Sequence, residues 1–428
     1  MTSAAPSESA LPDAARAAPP QAPRASRRPR TPGPGAELDV LFAQRLRRGL
    51  AGTVLAGRTA TVEFDCGHGD RWTVELAGGR AWARRGPAPA PTLRVQTTTG
   101  TLADIVSGRV SGVDAFLDGR VVVRGHLALA LQLDGMFTSL VDRPAQHPRA
   151  HEAAVMGTRT SWIEAGEPDA PPVVLLHGLG ATNASMLPIL ADLARDHRVL
   201  APDAPGFGSS DAPPSPYSSS WFAAWLEAFQ TRTETRGAVL IGNSMGGRIA
   251  LEAGLQHPGA VRALILLAPS PAFRRLRQYV PFVRLLTPQL GRLPTLPLPH
   301  GLAVEGIRGM FSVPERLPKA WYDAAADEAV RVLRSPAHRV AMLSCARQIY
   351  LEEAHGRRGF WDRLPGLEPP ALFLWGDRDR LVPASFARHV ADALPGAASI
   401  VLEDCGHVPH FEHPEETMAL IRGFLDTV

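Results

Sequence analysis

The sequence predicts an α/β protein, a mostly parallel sheet with helices on both faces, preceded by a small α+β domain. From His151 onward, short apolar runs alternate with helical periodicity, the order that covers parallel strands on both sides. One such run, Ala238-Val-Leu-Ile241, stops at a small-residue turn and restarts as Arg248-Ile-Ala-Leu-Glu252. Ahead of residue 143, alternating strands separated by Gly/Pro turns are mixed with short helices instead.

Residues 1–36 are mostly Ala, Pro, Ser and Arg with hardly any large apolar side chain. Such a stretch buries too little surface to offset its ordering entropy, so a disordered leader is expected. Arg16, Arg24, Arg27, Arg28 and Arg30 against Glu8 and Asp13 leave +3, the formal net charge of the whole 428-residue chain. The remainder is balanced, which speaks against nucleic acid as a partner. No run reaches the ~18 apolar residues of a membrane helix, so no transmembrane segment is expected and peripheral membrane contact is the mode left open. The leader lacks the apolar core of a signal peptide. Cys66, Cys345 and Cys405 show neither disulfide nor metal spacing. A reducing, cytoplasmic compartment is expected, with no metal and no cofactor.

The first domain is assigned to residues 37–142. Leu38–Leu46 has helical spacing; Thr59–Asp65, Arg71–Ala77 and Leu93–Thr97 alternate as strands. Thr101-Leu-Ala-Asp104 reads as a capping box opening a short helix, Arg120–Arg124 as a strand, and Leu129, Leu133, Phe137 and Leu140 as one stripe of a closing helix. Three pieces, Thr101-Leu-Ala-Asp-Ile-Val-Ser-Gly108, Ala115-Phe-Leu-Asp-Gly-Arg120 and Val123-Arg-Gly-His-Leu-Ala-Leu-Ala-Leu131, resemble the sterol carrier protein family over most of residues 38–141. The resemblance implies a sheet and helices around an apolar tunnel for a sterol, fatty acid or acyl group. Ile105, Phe116, Leu117 and Leu133 would line such a tunnel or simply fill a core.

Residues 143–150, polar and proline-containing, read as a linker. In the second domain, 151–428, His151–Gly157 and Thr158–Gly166 form an expected hairpin. Val173–Leu176, Val199–Ala201, Val261–Ala268, Ala371–Trp375 and Ser399–Leu402 are further strands, and Ser185–Asp196, Trp221–Thr231 and Glu415–Asp426 are helices. Gly242-Asn-Ser-Met-Gly246 fits the turn that holds a serine at the end of a buried strand, its glycines relieving a crowded backbone. Ser244 then lies at a helix N-terminus, whose unpaired N–H groups favour negative charge on a substrate oxygen.

This order of strands, helices and motifs resembles the α/β-hydrolase superfamily across 151–428. In that fold the nucleophile, acid and base follow one another along the chain, and Ser244, Asp379 and His407 occur in that order. A serine hydroxyl needs a base to take its proton, and a carboxylate must hold that base in one tautomer. His407, in Asp404-Cys-Gly-His407, matches the family's base, with His410 and His413 as nearby competitors. Asp377 and Asp379 both come within reach, and the family's Gly-x-x-Asp spacing before a proline favours Asp379. The oxyanion donors implied are the backbone N–H groups of Leu179, in His177-Gly-Leu-Gly180, and Met245. Asp203 and His177 read as loop braces.

A lid is expected at about 271–365, with helices at Phe273–Leu286, Val304–Phe311, Trp321–Leu333 and His338–Glu353. In its first helix Arg274, Arg275, Arg277 and Arg284 flank Phe273, Tyr279 and Phe282, a solvated face or one for anionic substrates or membranes. Haloalkane dehalogenases and epoxide hydrolases of this fold need Asp where Ser244 stands, which excludes them. The leading expectation is a serine hydrolase cleaving a carboxylic ester of a small lipophilic substrate. The alternatives are carbon–carbon bond hydrolysis of ring-cleavage diketones, whose enzymes have elbows resembling Gly242–Gly247, and a lipid carrier or scaffold with an inert hydrolase domain.

Overall fold

The structure, a computed structural model, describes residues 34–46, 50, 53–137, 147–271, 287–294 and 298–428, with Met1. The expected leader up to Thr31-Pro-Gly33, the linker residues 143–146, Leu140 and the first lid helix with its four arginines lie outside the described residues.

The N-terminal unit opens with α1 (Pro34–Arg45), which begins inside the span expected to be leader because Leu38 and Phe42 supply a buried face. β1 (Ala60–Asp65), β2 (Arg71–Ala77), β3 (Arg80–Arg85) and β4 (Leu93–Gln96) follow, then α2 (Thr99–Ser107), α3 (Gly112–Leu117), β5 (Val122–Gly125) and α4 (Leu127–Phe137). The sheet order is β3-β2-β1-β4-β5, with β1 antiparallel to β2 and parallel to β4. Two sequence expectations shift here. The cap of α2 is Thr98, whose Oγ1 accepts the Thr101 N–H at 3.1 Å, so Thr101 is already helical. The edge strand β3 was not anticipated: its Arg-Ala-Trp-Ala-Arg-Arg sequence buries only Ala81, so little apolar alternation marks it.

The second unit runs β6 (Arg149–Val155), β7 (Thr158–Ala165), β8 (Pro172–Leu176), a 3₁₀ turn at Asn183–Met186, α5 (Leu187–Leu193), β9 (Arg198–Pro202), α6 (Ser219–Thr233), β10 (Ala238–Asn243), α7 (Met245–Gln256) and β11 (Val261–Leu267). β6 takes the last two residues of the expected linker. The span expected as one helix from Ser185 to Asp196 is thus a 3₁₀ turn and a shorter helix. The span expected as a lid contributes α8 (His300–Arg308), α9 (Lys319–Leu333), α10 (Pro336–Leu351) and α11 (Phe360–Arg363). β12 (Ala371–Gly376), α12 (Phe386–Ala393), β13 (Ala398–Leu402), α13 (Pro409–Glu412) and α14 (Pro414–Leu425) close the chain.

The sheet order is β6-β7-β9-β8-β10-β11-β12-β13, parallel from β9 to β13, with the β6–β7 hairpin antiparallel at one edge. Every residue of β10 and of β12 is buried, as a strand covered on both faces must be. That burial fixes the register of the strand ends from which the loops of the site depart.

Candidate active site

β10 ends at Asn243, and the chain reverses into α7 through Ser244 at φ 53°, ψ −111°. A non-glycine residue there costs roughly 1–3 kcal/mol and is kept only because the surroundings impose it. The flanking glycines explain how. A Cβ on Gly246 would stand 2.1 Å from the Leu176 carbonyl oxygen, and one on Gly242 would stand 2.4 Å from the Gly246 carbonyl carbon. Strand, turn and helix therefore pack backbone against backbone, and the serine is turned out at the head of α7. Its own N–H donates to Leu267 O at 3.0 Å, and its carbonyl accepts from Ser270 at 3.0 Å and from Arg248 at 3.0 Å.

The loop after β8 lies alongside. A Cβ on Gly178 would come 3.5 Å from Ser244 Cβ, so the His177–Gly180 loop crosses directly over the elbow. Leu179 is exposed and Met245 buried. Among the described residues, the N–H groups of both carry no intramolecular acceptor, which leaves two main-chain donors for an external oxygen. His177 is occupied elsewhere: its Nε2 accepts the Ala204 N–H at 3.0 Å and its Nδ1 donates to Gly178 O at 2.8 Å. Burial pulls this imidazole down to about 4. Asp203 accepts from Asn183 at 2.7 Å and Ser209 at 2.8 Å, while burial pushes its carboxyl up to about 7. Both are braces for the loops around the elbow.

His407 and Asp379 meet directly. Asp379, on the turn after β12, takes the His407 Nδ1–H on Oδ2 at 2.7 Å, and its Oδ1 accepts the N–H groups of Leu381 at 2.7 Å and Val382 at 2.9 Å. Both side chains are buried. With Nδ1 protonated, Nε2 is the lone-pair nitrogen, the tautomer a general base requires. The histidine's backbone is tied to the elbow, because Asn243 Nδ2 donates to His407 O at 3.1 Å and to Leu267 O at 3.0 Å.

The competitors have other work. Asp377 is exposed and accepts the Cys405 N–H at 3.1 Å. His410 donates from Nε2 to Ser185 O at 2.9 Å, and burial pulls it down to about 4. His413 Nε2 contacts Asp404 O at 3.2 Å.

Two residues near the site were not singled out in the sequence. Asn243 sat inside the elbow motif with no role assigned. Glu412, buried, accepts the Gly406 N–H on Oε1 at 2.9 Å and the lid's Ser312 N–H on Oε2 at 2.7 Å. The His407 N–H in turn donates to Met310 O at 2.8 Å, and Ser312 Oγ donates to Asp404 O. A Cβ on Gly406 would meet Met310 O at 2.6 Å and Glu412 Oε1 at 2.7 Å. Lid and histidine loop thus share one seam. Its only sequence signal is a single acid five residues after the histidine.

A second anchor ties the expected lid span to α7, the helix that follows Ser244. Arg248 on α7 binds Glu252 at 2.8 Å and Glu352 at the end of α10, and Arg363 binds Glu252 at 2.8 Å. Burial would raise the Glu252 carboxyl, but the Arg363 hydrogen bond and the Arg248 charge outweigh it and hold it at about 2.

Residues 171–414 match the family model described as alpha/beta hydrolase fold, and residues 42–138 match that of the SCP-2 sterol transfer family. The chain is 29% identical over 261 residues to a pimeloyl-[acyl-carrier protein] methyl ester esterase of Aeromonas hydrophila, covering 60% of this chain and 95% of that one. It is 27% identical over 276 residues to a 2-hydroxy-6-oxo-6-(2'-aminophenyl)hexa-2,4-dienoic acid hydrolase of Metapseudomonas resinovorans, covering 63% and 88%. A solved structure of a bacterial membrane phospholipase A superposes with a TM-score of 0.55 at 28% identity, covering 66% of this chain and 87% of that one.

Proposed function

The chain belongs to the alpha/beta hydrolase fold family, and from that premise we propose that it is a serine hydrolase cleaving a carboxylic ester of a lipophilic substrate through an acyl-enzyme intermediate. Ser244 Oγ attacks the ester carbonyl while His407 Nε2 takes its proton. The oxyanion is received by the N–H groups of Leu179 and Met245. The imidazolium, held by Asp379, passes the proton to the departing alkoxide. Water then repeats the sequence on the acyl-enzyme and returns Ser244 to its starting state.

The observation that carries this reading is the 2.7 Å bond from His407 Nδ1 to a carboxylate whose other oxygen is held by two amides. That arrangement fixes Nδ1 as the protonated nitrogen and leaves Nε2 with no partner among the described residues, whereas both ring nitrogens of the structural His177 are engaged. An ester is supported by the named activities of the esterase and phospholipase relatives, and a lipophilic one by the match of residues 42–138.

Carbon–carbon bond hydrolysis is the second reading, supported by the dienoic acid hydrolase relative. Purified protein is expected to release nitrophenol from medium-chain acyl esters, and Ser244→Ala should lower kcat by on the order of 10⁴. Unchanged turnover in that variant would remove the serine mechanism. Cleavage of a coloured dienol diketone with esters untouched would transfer the assignment to the second reading, and neither activity would favour an inert scaffold.

A further inference from the structure

The N-terminal unit is packed into the hydrolase unit, not merely joined to it by the chain. One buried apolar cluster runs from Phe64 and Leu133 through Ile163 to Met186 and Leu190, with α4 against β6 and α3 against α5. The end of β5 also grips α9. Asp327 Oδ2 accepts Arg124 Nε at 2.7 Å and the Gly125 N–H at 2.9 Å, and Oδ1 lies 3.2 Å from His300 Nε2 at the start of α8. One carboxylate thereby pins both helices of the α8–α9 pair to β5. Nearer the start of α9, the Trp321 ring stacks on Phe116 of α3 with centroids 6.0 Å apart and planes 20° from parallel, and its Nε1–H donates to Phe116 O at 3.3 Å.

The α8–α9 pair also reaches the loop that carries His407. Val304 of α8, Phe311 between the helices, and Tyr322 and Ala326 of α9 share a small buried cluster with Val408, the neighbour of His407. Phe411 packs against that cluster and meets the Trp321 ring edge-on at 5.6 Å. Met310 O, in the link between the helices, accepts the His407 N–H at 2.8 Å, while the His407 carbonyl accepts from Asn243 Nδ2 at 3.1 Å. The imidazole is thus carried on a main chain clamped between the end of β10 and the α8–α9 link. The cluster is separate from the two large ones. Satellite clusters of this kind lie at the low-stability end of a fold, and Asp327 and Trp321 tie this one to the large core.

We propose, on the reading of His407 as the general base, that the N-terminal unit positions that base. Arg124 and Phe116 hold α9, the α8–α9 pair holds Met310 and Val408, and these hold the His407 main chain. Asp327 and Trp321 are therefore positioning residues, acting through His407 and not on the substrate. A reacting group displaced by about 1 Å through a change far from the chemistry costs on the order of 10² in rate. Ester turnover then depends on an ion pair and a ring stack made with another unit, and the N-terminal unit has a part in hydrolysis whatever its own interior holds.

The full chain is assayed with a nitrophenyl ester, with circular dichroism as the control for folding. Asp327→Ala, which releases Arg124, Gly125 and His300 together, is expected to lower kcat about tenfold with KM within about twofold. Arg124→Ala loosens the same contact from the N-terminal side, at a side chain 42% exposed, and should lower kcat about fivefold. It leaves α9 untouched and stands in for Asp327→Ala should that variant fail to fold. Both changes are then repeated in a His407→Ala background, where the residual turnover owes nothing to the base. There each should alter the rate by less than about twofold, because its effect passes through an imidazole that is gone. An equal loss in both backgrounds, a loss confined to KM, or kcat unchanged in both variants would overturn the positioning role; turnover that still collapses in Ser244→Ala and His407→Ala would keep the serine hydrolase reading. Turnover indifferent to His407→Ala would remove both.

Discussion

Replacing Asp379 by Asn tests the proposed site where its geometry is most specific. One carboxylate oxygen accepts two main-chain N–H groups, from Leu381 and Val382, and the other accepts the His407 Nδ1–H at 2.7 Å. An asparagine in the same rotamer must offer its carbonyl oxygen to the two amides, since its NH₂ there would face two donors. The NH₂ is thereby turned to His407. It can only donate, so Nδ1 becomes the acceptor and the proton moves to Nε2, the nitrogen that has to receive the serine proton. The substitution preserves volume and both main-chain bonds but imposes the wrong tautomer. In a serine–histidine–aspartate arrangement that error costs a factor of about 10⁴, or roughly 5.5 kcal/mol in the barrier. The assay is kcat for nitrophenyl ester hydrolysis at neutral pH, with the melting temperature as a control for folding. A variant that melts normally and keeps more than a tenth of wild-type kcat would refute the assignment of Asp379.

Three further outcomes are expected. Gly246→Ala should destabilise the fold by about 3 kcal/mol or more, because the new methyl meets the Leu176 carbonyl oxygen at 2.1 Å and backbone cannot yield as a side chain does; denaturant unfolding unchanged within error would contradict the elbow packing. Glu412→Gln leaves one of the two N–H groups it accepts, that of Gly406 or of Ser312, facing an NH₂, costing about 1–3 kcal/mol, and should lower kcat more than it raises KM, since Gly406 adjoins His407 and the Ser312 segment binds the same loop; a pure KM effect would argue against a positioning role. His410, pulled down to about 4 by burial, stays neutral in the fold while the unfolded chain takes up a proton near 6.5, so it costs stability increasingly as pH falls from 6.5 to 4. Asp203, pushed up from 3.8 to about 7 by burial, acts in the opposite direction over the whole of that window. Comparison with His410→Asn isolates the histidine: the stability advantage of the wild type should shrink on acidification, and a gap constant from pH 7 to 4 would exclude this account.

Local stereochemistry is what made the elbow, the aspartate turn and the strand order readable. A strand that turns into a helix within three residues demands glycine at two particular places, and a strand covered on both faces demands an unbroken apolar run. Helix and strand boundaries were less legible wherever the pattern was thin. β3 buries one alanine, the cap of α2 lies three residues before the expected one, and α12 was not foreseen, its buried side confined to Phe386 and Val390.

The chain's order of residues by itself determined the two-unit architecture, the candidate nucleophile, acid and base, and the family. These depend on neighbours within a few positions or on a fixed succession of motifs. Tertiary structure alone decided that Asp377 turns to the Cys405 N–H, why His177 and His410 are spoken for, and that Glu412 joins the expected lid span to the His407 loop. It also brought Arg124 to Asp327 and Phe116 to Trp321, each pair about two hundred positions apart. Such contacts leave no periodicity in the sequence, because their residue types are set by a partner's chemistry in space and not by the helix or strand that carries them.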